Sequence, residues 1–355
     1  MKLMESNIIY IRLFIIKIFN IIDYFIIKIM NKYNKFLFFL TFLSMMTKAQ
    51  TENITWLREA KFGILVHFLK RLQNSNEPWN QGKVTSWEQC VNDFNTETFS
   101  QQASVIGAKY VIFTVQQGDR NFCMPNITFE KMTGYKRGTA TVNRNLIEDL
   151  YNSLNKRKIK LMLYVTGDGV SRDYDAAVKL KNPLLDVPKN SNQFIVNVTG
   201  VYTWAKVLED ISVRYGNKIS GWWVDGAYPF IGFTDTRLKV LSDALKKGNP
   251  QALIAFNPAP QNIVKAYSIW DDYTAGEMYH IKSKPESGGK VNGTQWHILT
   301  FLGKDWAQPG SRFSNNELSN YISEVNKNSV VVSLDILVKR NGSLDTNQYL
   351  FLKMS

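Results

Sequence analysis

From about residue 50 onward, short β-branched or aromatic runs alternate with longer segments of helical period. That alternation limits the possible folds more than any other feature of the chain. The runs are Phe62 to Phe68, Lys109 to Val115, Lys160 to Thr166, Gly221 to Asp225, Ala252 to Asn257, a short one near Asp272 to Thr274, Gln295 to Thr300, and Ser329 to Asp335. Between them, Thr96 to Gly107, Asn145 to Arg157, Thr199 to Tyr215, Asp235 to Lys247 and Asn315 to Lys327 carry apolar residues at i, i+3 and i+4 within polar or Gly boundaries. Strands separated by crossover helices build a parallel sheet. Eight of them predict an α/β chain folded as a single (β/α)8 barrel of TIM type. No Gly-rich phosphate loop follows the first run, so an open doubly wound sheet is the second choice.

Barrel active sites lie at the C-terminal ends of the strands. His67, Gln116, Gln117, Asp225, Asn257 and Asp335 stand at those ends. Asp225 is the leading catalytic candidate. It follows Trp222 and Trp223, which must face opposite ways in a strand, so one flat ring accompanies the carboxylate into the barrel mouth. Its competing role is a helix cap or ion pair. Glycoside hydrolysis pairs two carboxylates, and Glu277, on the loop after the sixth run, is the candidate partner; the alternative is a solvated loop glutamate. The chain has only three histidines. His67 and His297 are candidates for sugar hydrogen bonding against a core role, and His280 is read as a loop residue. The polar, tryptophan-bearing stretch Lys70 to Glu88 is expected to cover substrate.

Composition excludes several other classes. With 355 residues, 45% of them hydrophobic, the chain can bury a full core. Setting aside the first 49 residues, with their seven Lys/Arg and two acids, leaves 36 basic and 28 acidic side chains, a net charge of +8. This suits an anionic substrate, but without a basic run or nucleic-acid motif it gives no nucleic-acid partner. Lys32 and Lys35 precede the apolar run Phe36 to Met46, and Thr47-Lys48-Ala49 has the form of a signal-peptidase site. Translation is expected to start at Met30, making residues 1–29 an extension and residues 30–49 a signal peptide. The mature protein, residues 50–355, is then exported to the periplasm or medium, with no membrane attachment after cleavage. Cys90 and Cys123 are read as buried thiols, with one bridge as the alternative. No metal or cofactor motif occurs, a Gly-x-Ser-x-Gly elbow is absent, and the oligomeric state is not encoded in any motif.

Specific motifs add a family. Trp56 and the stretch Lys61-Phe62-Gly63-Ile64-Leu65-Val66-His67 resemble the opening of the α-L-fucosidases of glycoside hydrolase family 29, a Trp followed by Lys-Phe-Gly-x-Phe-x-His. Gly107-Ala108-Lys109-Tyr110-Val111-Ile112-Phe113-Thr114 resembles the second-strand motif, and Trp223-Val224-Asp225-Gly226 the segment ending in the nucleophile. Asp272 to Glu277 is similar to Asp-Tyr-x-Thr-Pro-Glu, and Gln295-Trp296-His297 to the family's Trp-Glu segment. The resemblance spans roughly residues 52 to 350. It implies that Asp225 is the nucleophile; Trp223, Tyr228, Trp296 and His297 are candidates for holding the sugar. Two departures stand out. The family's Lys-His-His-Asp-Gly-Phe, whose histidines hold fucose hydroxyls, is replaced by Gln116-Gln117-Gly118-Asp119-Arg120-Asn121-Phe122, and the usual C-terminal β-sandwich is not expected. Arg120 is a new cation near the rim, suited to a carboxylate or sulfate. The expected substrate is therefore the non-reducing-end sugar of a plant or algal oligosaccharide bearing a uronate or sulfate. Three activities remain: retaining exo-hydrolysis by Asp225 and Glu277; elimination from a terminal uronic acid with His67, Asp225 or Tyr228 as base; and sugar binding without catalysis.

Overall fold

In the strands, every second side chain points into the barrel, and this parity decides which residues reach the site. The computed structural model describes residue 28 and residues 53–80, 82–181, 198–281 and 288–354. Apart from Lys28, the expected extension and signal peptide lie outside the described residues. The strands are β1 (Phe62–Val66), β2 (Tyr110–Thr114), β3 (Lys160–Thr166), β4 (Gly221–Asp225), β5 (Leu253–Phe256), β6 (Lys290–Val291), β7 (Thr294–Gln295), β8 (His297–Phe301) and β9 (Val331–Asp335). Seven form one parallel sheet in the order β5-β4-β3-β2-β1-β9-β8, while β6 and β7 make a separate antiparallel ribbon. The curled sheet with its crossover helices is the α/β architecture of a (β/α)8 barrel.

The sixth barrel position is not a regular strand. Residues 272–278 span the opening between β5 and β8 with backbone bonds to both edges: Asp272 N to Ile254 O at 2.8 Å, Thr274 N to Gln295 O at 2.9 Å, and Leu299 N to Gly276 O at 2.8 Å. Only isolated bridges, Tyr273 with Gln295 and Glu277 with Leu299, replace the expected ladder. On the β5 side, carboxylates take over from carbonyls. Ile254 N donates to Asp272 Oδ2 at 2.9 Å, and Phe256 N to Asp271 Oδ1 at 2.7 Å. Gly276 (φ +66°) permits the approach, since a Cβ there would lie 2.0 Å from the His297 carbonyl oxygen.

Side-chain caps start the helices close to their expected places. Asn95 accepts from Thr98 N, Asn145 from Glu148 N and Ser314 from Glu317 N, opening Thr96–Val105, Leu146–Asn155 and Asn315–Lys327. The long helices Val198–Tyr215 and Asp235–Leu245 pack side by side. Among the described residues no helix is long and apolar enough to cross a membrane. The core has two layers. Ile64, Val111, Leu163, Trp222 and Ile298 face outward against the helices, while Leu65, Ile112, Tyr164, Trp223, Ala255 and Leu299 fill the barrel. Cys90 and Cys123 are free and buried, and burial pushes both thiols up to about 12.

Candidate active site

Parity carries Trp223 and Asp225 inward from β4 and sends Trp222 outward. On β3, Tyr164 is in register with Trp223 and stacks on it at 5.2 Å. Its hydroxyl donates to Asp225 Oδ2. Tyr228, just beyond β4, donates to Asp225 Oδ1 at 2.8 Å, and Asn257 Nδ2 donates to the same oxygen at 2.9 Å. Burial first, then the charge of Asp225, raises both phenols above their ordinary pKa, so both remain donors. Three donors thus hold one carboxylate at the strand end.

The second carboxylate comes from the irregular segment. Asn257 Nδ2 also donates to Glu277 Oε2, at 2.6 Å. One amide nitrogen therefore holds both acids, and their bonded oxygens lie no farther apart than the two bond lengths together. That closeness is compatible with the separation of about 5 to 5.5 Å between the carboxyl groups of retaining glycosidases. Burial, and next the charge on Asp225, pushes Glu277 up to about 7, against the opposing pull of Asn257. Near neutrality the Glu277 carboxyl therefore retains part of its proton. Asp168, buried beyond β3, is likewise pushed up to about 7 by burial, and accepts a bond from Ser171 Oγ at 2.6 Å.

An open cavity contains both acids, with His67, Arg71, Leu72, Gln117, Tyr164, Arg172, Trp223 and Trp306 among its lining. His67 Nδ1 is 2.8 Å from Asp335 Oδ1, whose other oxygen accepts from Ala307 N at 2.5 Å. That pairing fixes the ring and leaves Nε2 as the nitrogen for a ligand. Gln117 Nε2 donates to Tyr164 Oη at 2.6 Å, and Gln117 Oε1 accepts from Arg71. Among the described residues no group of three or more His, Cys, Asp or Glu side chains is gathered as a metal site.

The alpha-L-fucosidase family model matches residues 43–354. This chain belongs to the alpha-L-fucosidase family. No curated protein sequence matches it. Among solved structures, an endo-fucoidan hydrolase of glycoside hydrolase family 107 superposes with a TM-score of 0.66 at 14% identity, covering 85% of this chain and 53% of the other. The chain thus spans about half the length of that structure. A second family 107 endo-fucoidan hydrolase gives a TM-score of 0.63 at 12% identity, with 85% and 91% covered. The alpha-L-fucosidase of Lactobacillus casei, solved with its fucose product, gives 0.57 at 14% identity, with 85% and 96% covered. At these identities the structures share the fold. Family membership places the chain among carbohydrate-active enzymes of glycoside hydrolase type.

Within this fucosidase-family barrel, several sequence expectations need correction. Arg120 is absent from the cavity lining: its guanidinium pairs with both oxygens of Asp173, reaches Asp175 at 3.6 Å, and lies 4.5 Å over the Tyr135 ring. His297 has inward parity but stands at the start of β8, below the rim. It is fully buried, bonded to Thr274 O at 3.0 Å and Ser333 Oγ at 2.8 Å, and burial pushes it down to about 4. Trp296 has the opposite parity and packs in the outer layer. In the stretch expected to cover substrate, Trp87 is buried against Phe68 and donates to Phe122 O at 2.8 Å; Arg71 and Leu72 are the residues that reach the cavity. Tyr164, Arg71, Arg172, Asp168 and Trp306 were missed. Parity on β3 would have found Tyr164, but no motif marks the others.

Proposed function

We propose that the protein is a retaining exo-glycoside hydrolase in which Asp225 is the nucleophile and Glu277 the acid and base. The single observation that carries this is the Asn257 amide nitrogen bonded to both carboxylates. Asp225 attacks the anomeric carbon of the terminal sugar while Glu277 gives its proton to the departing glycosidic oxygen. Glu277, now ionised, takes a proton from water, and the hydroxide so formed releases the sugar from Asp225. Trp223 offers an apolar face for the ring, and His67, oriented by Asp335, a nitrogen for its hydroxyls. The sugar is read as the non-reducing end of a plant or algal oligosaccharide, and the enzyme as exported, on the strength of the apolar run 36–46.

The test is mass spectrometry of products from sulfated, uronate-bearing and neutral plant and algal oligosaccharides, with wild type and Asp225→Asn. Release of a saturated monosaccharide by wild type, reduced about 10⁴-fold or more in the variant, is expected. A product lighter than substrate by one water overturns hydrolysis. It would favour a second reading, elimination from a terminal uronate, for which the His67–Asp335 pair on the cavity wall is the motivating observation. Unchanged glycan binding by Asp225→Asn, with no turnover by wild type, would instead indicate a sugar-binding protein.

A further inference from the structure

Six arginines of the described residues, Arg120, Arg137, Arg144, Arg157, Arg214 and Arg340, form ion pairs with carboxylates. Arg58, Arg237 and Arg312 bond instead to neutral oxygens, and the two arginines in the cavity also lack an ion pair among the described residues. Among the described residues Arg71 bonds to Gln117 alone, through its carbonyl at 3.4 Å and its side-chain oxygen, and both are neutral acceptors. Arg172 has no hydrogen-bonded or ion-paired side-chain partner among the described residues, although it lines the cavity wall beside Asp225 and Glu277. The two guanidinium groups sense each other: loss of solvent, and next the charge of Arg172, lowers the pKa of Arg71. Two like charges turned into one cavity without a bonded carboxylate are costly unless an anion comes to them. The nearby acids do not supply it. Among the described residues Asp119 attracts Arg71 and Asp168 attracts Arg172, but neither reaches ion-pair distance, and Asp119 accepts instead from Asn121 N at 2.9 Å.

The two positions that hold these arginines are the two that stand where the family motif has its histidines. Gln117 anchors Arg71. Gly118 makes room for Arg172, since a Cβ on Gly118 would lie 2.9 Å from Arg172 Cγ, and Arg172 N donates to Gly118 O at 2.7 Å. Where the family places two histidines, this chain places a glutamine and a glycine, and each is coupled to a cation.

We propose that Arg71 and Arg172 form an anion subsite that takes an oxyanion, a sulfate ester or a carboxylate, carried by the sugar bound at Asp225. This rests on the reading that a sugar binds at Asp225, but not on how it reacts there. A planar guanidinium offers paired donors to either group, and two of them lining one cavity favour a charged sugar over a neutral one. Arg120 takes no part.

Affinity electrophoresis tests it without turnover. Wild type, Arg71→Gln and Arg172→Gln, each checked for an unchanged melting temperature, are run through gels containing a sulfated algal polysaccharide, its desulfated form, a polyuronate and its carboxyl-reduced form. Binding to one charged polymer about 10- to 100-fold tighter than to its neutralised form is expected, with the difference removed by either substitution. The polymer that shows it names the anion. Equal binding to charged and neutralised forms overturns the subsite, as does an equal loss on both forms in the variants. If saturated sugar is not released but binding depends on the anion, hydrolysis fails and the subsite stands; release without anion dependence gives the reverse.

Discussion

Asp225 and Glu277 share one hydrogen-bond donor, yet the backbones that deliver them are unlike. Asp225 ends a strand with parallel ladders on both sides, where register with β3 and β5 fixes the height and direction of every side chain. Glu277 ends a segment with two isolated bridges, tied to one edge by backbone bonds and to the other partly by the side chains of Asp271 and Asp272. Surroundings differ as well. Among the described residues three donors converge on Asp225, while the Glu277 carboxyl has Asn257 alone and is pushed up to about 7 by burial. The regular element presents a carboxyl held by three donors, and the irregular one a carboxyl with a raised pKa.

The contrast in chemistry breaks most directly at Glu277. Glu277→Gln is expected to lower kcat about 10²- to 10⁴-fold on natural glycosides and much less on aryl glycosides whose leaving group needs no proton. Because the acid must be protonated, wild-type kcat/KM should fall as pH rises through about 7, and the variant should lose that limb. Equal losses on both substrate types would remove Glu277 from the proton-donor role. The contrast in backbone is sharpened by Gly276→Ala, which sets a methyl against the His297 carbonyl and is expected to cost about 3 kcal/mol or more in thermal or denaturant unfolding. Near-wild-type stability would mean that the segment relaxes without its present bonds.

The smallest effect is expected at Asp271. Burial pushes its carboxyl up to about 7, above the roughly 3.9 of an unfolded chain. Its contribution to stability is therefore full below about pH 4 and is lost as pH rises to 7, so the melting temperature should decline across that window. Asp271→Asn should flatten the decline and, by mismatching one of the two backbone N–H groups it receives, lower stability by about 1–3 kcal/mol. An unchanged slope would assign it to Asp168 or Glu277.

What was legible in the sequence follows the same division. Strand runs, crossover helices and the inward placement of Asp225 come from two periodicities that depend on local sequence, and the structure repeats them. Parity also separates Trp222 from Trp223. Height along a strand is less legible: His297 carries the inward parity of a site residue but stands at the wrong end of β8, and only packing reveals that. Charge partners are the least legible, because an ion pair joins positions far apart in the chain. Arg120 was read as the substrate's cation from its place after the second strand, but Asp173, 53 residues away, takes it. Arg172 had no signal of its own until the space left by Gly118 came into view.

The side-chain bonds of Asp271 and Asp272 to β5 give the barrel a seam rather than a continuous weave. A ladder can shift only by a whole residue, which flips every side chain on the strand to the opposite face. A seam of carboxylates can be adjusted by single substitutions, each moving the segment by a fraction of that step. The proposed proton donor is thus mounted on a part of the wall held by side chains as well as backbone, where single substitutions act on its position.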